Sequence, residues 1–225
     1  MSTTSHSFCK LQRDPDVLGD LLHSLSQPLT CLRCSLELSI EEVAERQHES
    51  VAQALLQTEK VIGMIQLMRE YLEAEQPASD AYSAALAPTL RNLTEELSSI
   101  AAVRGVQLCL VGSCSATVPV PRSRLRLALQ YLITAIIEAQ PVRGKVMLLL
   151  GENTAGAVLR AQGDRGSNEN TLRDPAAPVS TLRRVRLAIA SRVLETAGAS
   201  LAFGADAAGP TGFVLRVPHS AAPLA

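Results

Sequence analysis

The sequence predicts an α+β protein, in which an N-terminal two-helix hairpin forms a dimeric four-helix bundle and an α/β sandwich follows it. Leucines recur at spacings of three and four in the first part of the chain, and short apolar runs alternate with helical patterns in the second part. The charge divides in the same way. Residues 1–80 carry 6 basic and 13 acidic side chains (−7), whereas residues 81–225 carry 15 basic and 9 acidic side chains (+6).

The first part contains two helical patterns. The first spans about 16–47 and the second about 51–75, with a turn expected at 48–50. The apolar seam of the first helix consists of Leu18, Leu22, Leu25, Leu29, Leu32, Leu36, Ile40 and Val43. A lone hairpin leaves this seam unburied, so a homodimeric bundle over 16–76 is expected, with a structural coiled coil as the alternative. Residues 1–15 are expected to be a disordered tail.

The second part, 85–218, follows a linker at 77–84 and precedes a tail at 219–225. Its predicted helices are 88–104, 122–140 and 182–197, and its predicted strands are 106–111, 145–150, 157–161, 200–203 and 212–217, with a short extended piece at 118–121. A polar stretch at 163–180 interrupts this pattern. Helices covering one face of a mixed sheet are the expected architecture.

Composition excludes several classes of protein. The 225 residues carry a net charge of −1 and are 47% hydrophobic, which excludes global disorder. Aromatic residues make up only 3%, so a stacking platform for nucleic acid is not expected. No apolar run has the length of a membrane span, and the polar N-terminus does not resemble a signal peptide. We therefore expect a cytoplasmic protein without membrane or nucleic-acid partners.

The five cysteines do not indicate a disulfide framework, because their number is odd in a chain of cytoplasmic type. Cys31 and Cys34 have the spacing of a CxxC motif, but no second pair and no nearby histidine pair complete a tetrahedral metal site. We interpret them as small apolar residues of the first helix.

His23 lies five residues before Pro28 within the first helical pattern. Proline inside a helix costs about 3 kcal/mol, so its position here needs a reason. The helical period turns His23 more than a right angle away from the leucine seam, toward solvent. An exposed, uncharged imidazole is a competent nucleophile toward phosphorus.

The pattern His23-x-Leu25-x-x-Pro28-Leu29 resembles the phosphoacceptor box of two-component sensor histidine kinases, and the resemblance extends over about residues 15–218. It implies a dimerisation hairpin followed by an ATPase domain of the gyrase–chaperone–kinase type. It also implies that His23 accepts a phosphoryl group and passes it to an aspartate of a response-regulator receiver domain, with Ser24 and Gln27 beside it in the site. An ordinary solvent-facing histidine is the alternative.

The motifs of the second part follow the same order as in the family, but several residues of the expected nucleotide site differ. The resemblance places the family's magnesium-binding asparagine at Thr134 and an upstream asparagine at Gln130. A threonine hydroxyl is too short to replace that ligand. Asp164 and Gly166 resemble the adenine-binding box, whose second glycine is Asn168 here. An ordinary turn is the alternative for these residues.

Two further departures concern ATP. Arg184 and Arg186 stand where the family has a glycine-rich phosphate loop, whose backbone amides approach the phosphates. Ser24 follows the histidine where such kinases carry an acidic general base. The resemblance therefore implies a degenerate ATPase domain with a vestigial nucleotide site, and we expect neither a cofactor nor a metal.

These observations favour a dimeric histidine phosphotransferase of a phosphorelay. It would pass a phosphoryl group between receiver aspartates through His23 without binding ATP. One alternative is an active or weakly active histidine kinase. The other is a non-catalytic dimeric regulator that docks on kinases or receivers, so the sequence leaves open whether the protein is an enzyme.

Overall fold

A computed structural model describes residues 17–41, 44–74, 83–163, 181–206 and 209–218. The chain divides into two compact units. One spans Asp14–Glu73 and contains the first two helices, and the other contains the remaining helices and all described strands.

The first unit contains α1 (Val17–Glu41) and α2 (Ala44–Ala74). The turn predicted at 48–50 is wrong, because these residues lie inside α2. Histidine, glutamate and serine are all tolerated in a helix, and this segment contains neither glycine nor proline to end one. Residues 42 and 43, between the two helices, lie outside the described residues.

The apolar face of α1 differs from the predicted single seam. Leu21 and Pro28 are buried. Leu25 and Leu32, which belong to the predicted seam, are half-buried. The other described members of the seam form an exposed row at every seventh position, consisting of Leu22, Leu29 and Leu36. Because a helix turns about 100° per residue, the exposed row lies beside the buried one.

The second unit contains three helices and seven strands among its described residues. The helices are α3 (Leu86–Val103), α4 (Arg122–Ala139) and α5 (Thr181–Thr196), and the strands are β1 (Ala84–Ala85), β2 (Gln107–Gly112), β3 (Thr117–Val118), β4 (Lys145–Asn153), β5 (Gly156–Gly163), β6 (Ser200–Asp206) and β7 (Gly209–Pro218). Each predicted helix and strand of this unit is present, with bounds shifted by a few residues.

The main sheet has the strand order β2-β4-β5-β7-β6. Strands β2 and β4 are parallel, and the other neighbours are antiparallel, which confirms the predicted mixed sheet. A separate antiparallel pair joins β1 to β3. It was not predicted as a pair, since two consecutive alanines carry no strand period.

Helices α3, α4 and α5 pack on one face of this sheet, as predicted. Leu148, Ala161, Phe213 and Phe203 form a buried row across four strands on the helix side. Helix α4 adds buried aliphatic side chains, among them Leu125, Leu129, Leu132, Ile133 and Ile136. Burial of this aliphatic surface is the main stabilising contribution to the unit.

Two glycines fix the ends of elements near α4 and α5. Gly198 has φ +74° two residues after Thr196, the last residue of α5, where a left-handed residue ends a helix, as the sequence predicts. Gly163 ends β5 against Gln140, since an added Cβ would lie 2.0 Å from Gln140 Nε2. Among the described residues, no helix is long and apolar enough to span a membrane.

Candidate functional site

His23 lies on α1 with its side chain exposed, on the side of the helix away from buried Leu21. Helical spacing places Gln27, Thr30 and Cys34 on the same side, and all three are exposed. We call these four residues the His23 face. Ser24, the third candidate of the phosphoacceptor site, is half-buried beside it. The face carries no ionisable side chain other than His23 and the Cys34 thiol.

Pro28 is buried in α1, which continues through it to Glu41. Proline has no backbone N–H, so the carbonyl of Ser24 receives no helical hydrogen bond from position 28. Two hydroxyls nearby donate to backbone carbonyls: Ser26 Oγ to Leu22 O at 3.0 Å and Thr30 Oγ1 to Ser26 O at 2.9 Å. These side-chain bonds add donors in the turns around the proline.

Gln130 and Thr134 lie one turn apart on α4, and both are half-buried. They occupy the positions that the resemblance assigns to the family's magnesium-binding helix. Asp164, Gly166 and Asn168, which the resemblance assigns to the adenine box, lie outside the described residues.

The first turns of α5 contact the same helix through two arginines. Arg183 Nη2 donates a hydrogen bond to Ala135 O at 2.6 Å, and the Arg186 guanidinium lies 5.7 Å from the centre of the Tyr131 ring. That ring contact is a cation–π interaction. Since Tyr131 and Ala135 are separated by one helical turn, both arginines are held at the stretch of α4 that carries Thr134.

The structure adds one arginine to the two that the sequence singled out. Arg184 is exposed, while Arg183 and Arg186 contact α4. Arg183 was missed, although a signal existed. Residues three apart lie on one side of a helix, so Arg183 and Arg186 had to share a side once α5 began at Thr181.

Within the described parts of α4 and α5, the side chains do not fit ATP–magnesium. Thr134 offers a hydroxyl where a longer carbonyl-bearing side chain is needed, and arginine side chains are engaged on the adjoining surface of α4. Backbone amides at a glycine-rich turn are the usual phosphate donors, and the described start of α5 contains arginines and no glycine.

Cys31 and Cys34 are exposed on α1, and Cys109 and Cys114 are half-buried in the second unit. All four are free cysteines. No group of three or more His, Cys, Asp or Glu side chains that could hold a metal ion occurs within the described part of the chain.

Comparison with known proteins identifies the fold. No family model and no curated protein sequence matches the chain. Among solved structures, the histidine kinase AdeS of Acinetobacter baumannii matches with a TM-score of 0.63 and 15% identity, over 88% of this chain and 98% of that one.

Two other solved structures match over most of this chain. ThkA, in complex with the response regulator protein TrrA, matches with a TM-score of 0.63 and 14% identity, over 91% of this chain and 61% of that one. Full-length ShkA in complex with AMPPNP gives 0.56 and 17%, over 93% and 47%. This chain therefore spans about half the length of ShkA. The protein has a histidine-kinase-like core, with two N-terminal helices and an ATPase-type α/β unit.

Proposed function

We propose that the protein is a dimeric histidine phosphotransferase, which accepts a phosphoryl group from one receiver domain and returns it to another through His23. The observation that carries this proposal is the position of His23. It is exposed on α1, five residues before a buried proline, in a chain with a histidine-kinase-like fold. Ser24 and Gln27 are the accompanying residues of the proposed site.

The proposed reaction requires only a nucleophile from this chain. An unprotonated imidazole nitrogen of His23 attacks the phosphorus of an aspartyl phosphate, the P–O bond to the carboxylate breaks, and an N–P bond forms. The carboxylate leaves as the free aspartate, and the other ring nitrogen keeps its proton. The reverse reaction on a second receiver restores the histidine. Because an acyl phosphate is a reactive donor, the absence of an acidic residue at Ser24 costs less here than in attack on ATP.

Receiver domains are the proposed partners. The complex of ThkA with a response regulator supports this class, since ThkA shares the fold. The uncharged polar character of the His23 face also supports it, because Gln27 and Thr30 offer hydrogen bonds without repelling an acidic phosphorylation site. The positive charge of residues 81–225 favours encounter with an acidic partner.

The homodimer is proposed from the apolar rows of the helical unit. Leu22, Leu29 and Leu36 on α1 are 44–52% exposed at heptad spacing. Helix α2 adds its own exposed aliphatic residues, which are Val51, Leu55, Leu56, Ile62, Ile65 and Leu72. Exposed apolar surface of this extent marks an association site, and a second copy would complete a four-helix bundle with matching heptads.

Transfer without ATP is the third part of the proposal. It rests on Thr134 at the expected magnesium position and on the contacts of Arg183 and Arg186 with α4. A histidine kinase is the competing function, and a regulator that docks without phosphate transfer is another.

To test this proposal, the protein is incubated with a panel of receivers that have been phosphorylated by a small-molecule phosphodonor. Its intact mass is then measured by mass spectrometry. The proposal expects wild type to gain one phosphoryl group that acid removes, as an N–P bond requires, and His23→Ala to gain none. Gln66→Ala, an exposed glutamine of α2, is the matched control and should behave as wild type. Equal gain by wild type and His23→Ala would overturn the assignment of His23.

A further inference from the structure

The sheet of the second unit has a face that no described helix of the same unit covers. Successive side chains along a strand point to opposite faces of the sheet, so the residues next to the buried helix-side row point to the face away from the helices. Val111, Leu149, Arg160 and Val214 follow one another across β2, β4, β5 and β7 in register. Val111 is 52% exposed and Leu149 is 36% exposed. We call this side of β2, β4, β5 and β7 the open sheet face.

Two arginines lie next to each other on the open sheet face. Arg160 pairs with Val214, and Val158 pairs with Arg216, so the two arginines are diagonal neighbours on adjacent antiparallel strands. Diagonal neighbours lie about 7–8 Å apart, within reach of long side chains. Both arginines are exposed, and no carboxylate among the described residues forms an ion pair with either. Two neighbouring unpaired cations favour an anion between them.

The arginines border a depression of about 350 Å³ whose lining includes Val158 and Val214. An adjoining depression of about 250 Å³ shares Val158 and Arg216 with it. Glu152 lies at the end of the first depression, where its carboxylate accepts hydrogen bonds from Ser115 N at 2.8 Å and Ser115 Oγ at 3.0 Å. The surface is therefore an open groove with an apolar floor and a cationic border.

We propose that the open sheet face binds an acidic segment of a partner protein, with carboxylates on Arg160 and Arg216 and aliphatic side chains on the valine and leucine floor. The planar guanidinium pairs with a carboxylate through two hydrogen bonds. The exposed side chains of Val111 and Leu149 on the same face provide apolar area that a small free anion would leave uncovered, whereas Val214 is buried.

Charge complementarity selects an acidic occupant. Lys145 lies on the same face as Arg160 and Arg216, because it is four residues before Leu149 in β4 and side chains alternate between faces. It is exposed. Apart from Glu152 at its end, the described part of this face carries no acidic side chain. Nucleic acid fits less well, because the described floor is aliphatic and has no aromatic side chain on which a base could stack. The site does not involve His23, so it stands apart from the proposed phosphotransfer.

The test uses the full chain and a short fluorescent peptide in which glutamate alternates with leucine. Binding is expected for wild type, with methyl NMR shifts confined to Val111, Leu149, Val158 and Val214. Arg160→Glu with Arg216→Glu should weaken binding at least about tenfold, since two favourable pairs become repulsive. Arg91→Glu with Arg122→Glu changes the net charge equally on exposed helix positions and should leave binding unchanged. Thermal melting of both double variants verifies that they are folded.

Four other probes determine the chemical nature of the occupant. A lysine–leucine peptide is expected not to bind, and a glutamate–serine peptide and inorganic phosphate are expected to bind at least about tenfold more weakly than the glutamate–leucine peptide. Equal binding of phosphate or of the serine peptide would identify a simple anion site and overturn the proposal. Stronger binding of a single-stranded oligonucleotide at the same residues, or absence of binding by the glutamate–leucine peptide, would also overturn it.

Discussion

At the scale of single residues, two arginines of α5 make specific contacts with α4. Arg183 donates a hydrogen bond to a backbone carbonyl of α4, and Arg186 lies against an aromatic ring of the same helix. A guanidinium can serve both purposes because it is planar and carries five donors. Both contacts pack α5 against α4.

The Arg183 hydrogen bond gives a measurable stability effect. Arg183→Ala removes a charged donor from the Ala135 carbonyl, and we expect a loss of about 1 kcal/mol in the free energy of unfolding. Urea denaturation monitored by circular dichroism measures it. Arg122→Ala is the control, because Arg122 is exposed at the positive N-terminal end of α4, where a cation is not favourable. Equal stability of Arg183→Ala and wild type would show that this contact contributes nothing.

The cysteines provide a second residue-scale prediction. Burial raises the pKa of the Cys114 thiol above its ordinary value, so less thiolate forms there near pH 8 than at a free cysteine. Cys31 and Cys34 are exposed on α1. We expect a thiol reagent to modify Cys31 and Cys34 first and Cys114 more slowly, with the Cys114 rate rising at higher pH. Peptide mapping after brief labelling checks the order, and prior modification of Cys114 would contradict it.

At the scale of elements, α1 shows which part of the structure a periodic pattern predicts. The leucine spacing predicts the helix itself, and Val17–Glu41 confirms it. The spacing does not separate a row that packs within the chain from a row beside it. Leu25 and Leu32 are half-buried and Leu29 and Leu36 are exposed, although all four belong to one predicted seam. That difference depends on tertiary packing, which a helical period does not contain.

The exposed row predicts the oligomeric state. Leu29→Glu with Leu36→Glu should convert the dimer to monomers, because each change would bury an unpaired carboxylate between two copies. Both positions are exposed within one chain, so the fold of the monomer is expected to persist. Analytical ultracentrifugation measures the mass. Cys31→Glu, on nearly the opposite side of α1, is the control and should remain dimeric. A wild-type monomer at micromolar concentration would contradict the proposed dimer.

At the scale of the whole molecule, the order of helices and strands in the second unit was predictable, and its chemistry was predictable only in part. Alternating apolar runs identify β4 and β5, and Gly198 marks the end of α5. The β1–β3 pair and the Arg183 contact escaped prediction, since each depends on a neighbour distant in sequence. The exposure of His23 followed from the helical period, whereas Asp164 and Gly166 remain expectations outside the described residues.

The whole-molecule account predicts that ATP–magnesium does not stabilise the protein. A ligand at one hundred times its dissociation constant adds about 2.7 kcal/mol to the free energy of unfolding, which a thermal melt readily detects. We expect no such shift at millimolar ATP and magnesium. Arg184→Gly with Arg186→Gly should not create one, because Thr134 still replaces the magnesium ligand. A shift in wild type that Asp164→Asn abolishes would contradict the account.

The proposed function requires that His23 receives its phosphoryl group from a receiver and not from ATP. The most direct measurement offers the protein radiolabelled phosphate from two donors in parallel: γ-labelled ATP with magnesium, and labelled phospho-receivers in nucleotide-free solution. The account predicts acid-labile label on wild type from a phospho-receiver only, no label on His23→Ala, and chase of the label onto a second, unlabelled receiver. Label on His23 from ATP in the absence of any receiver would contradict it, as would failure of every receiver of the host to label the protein.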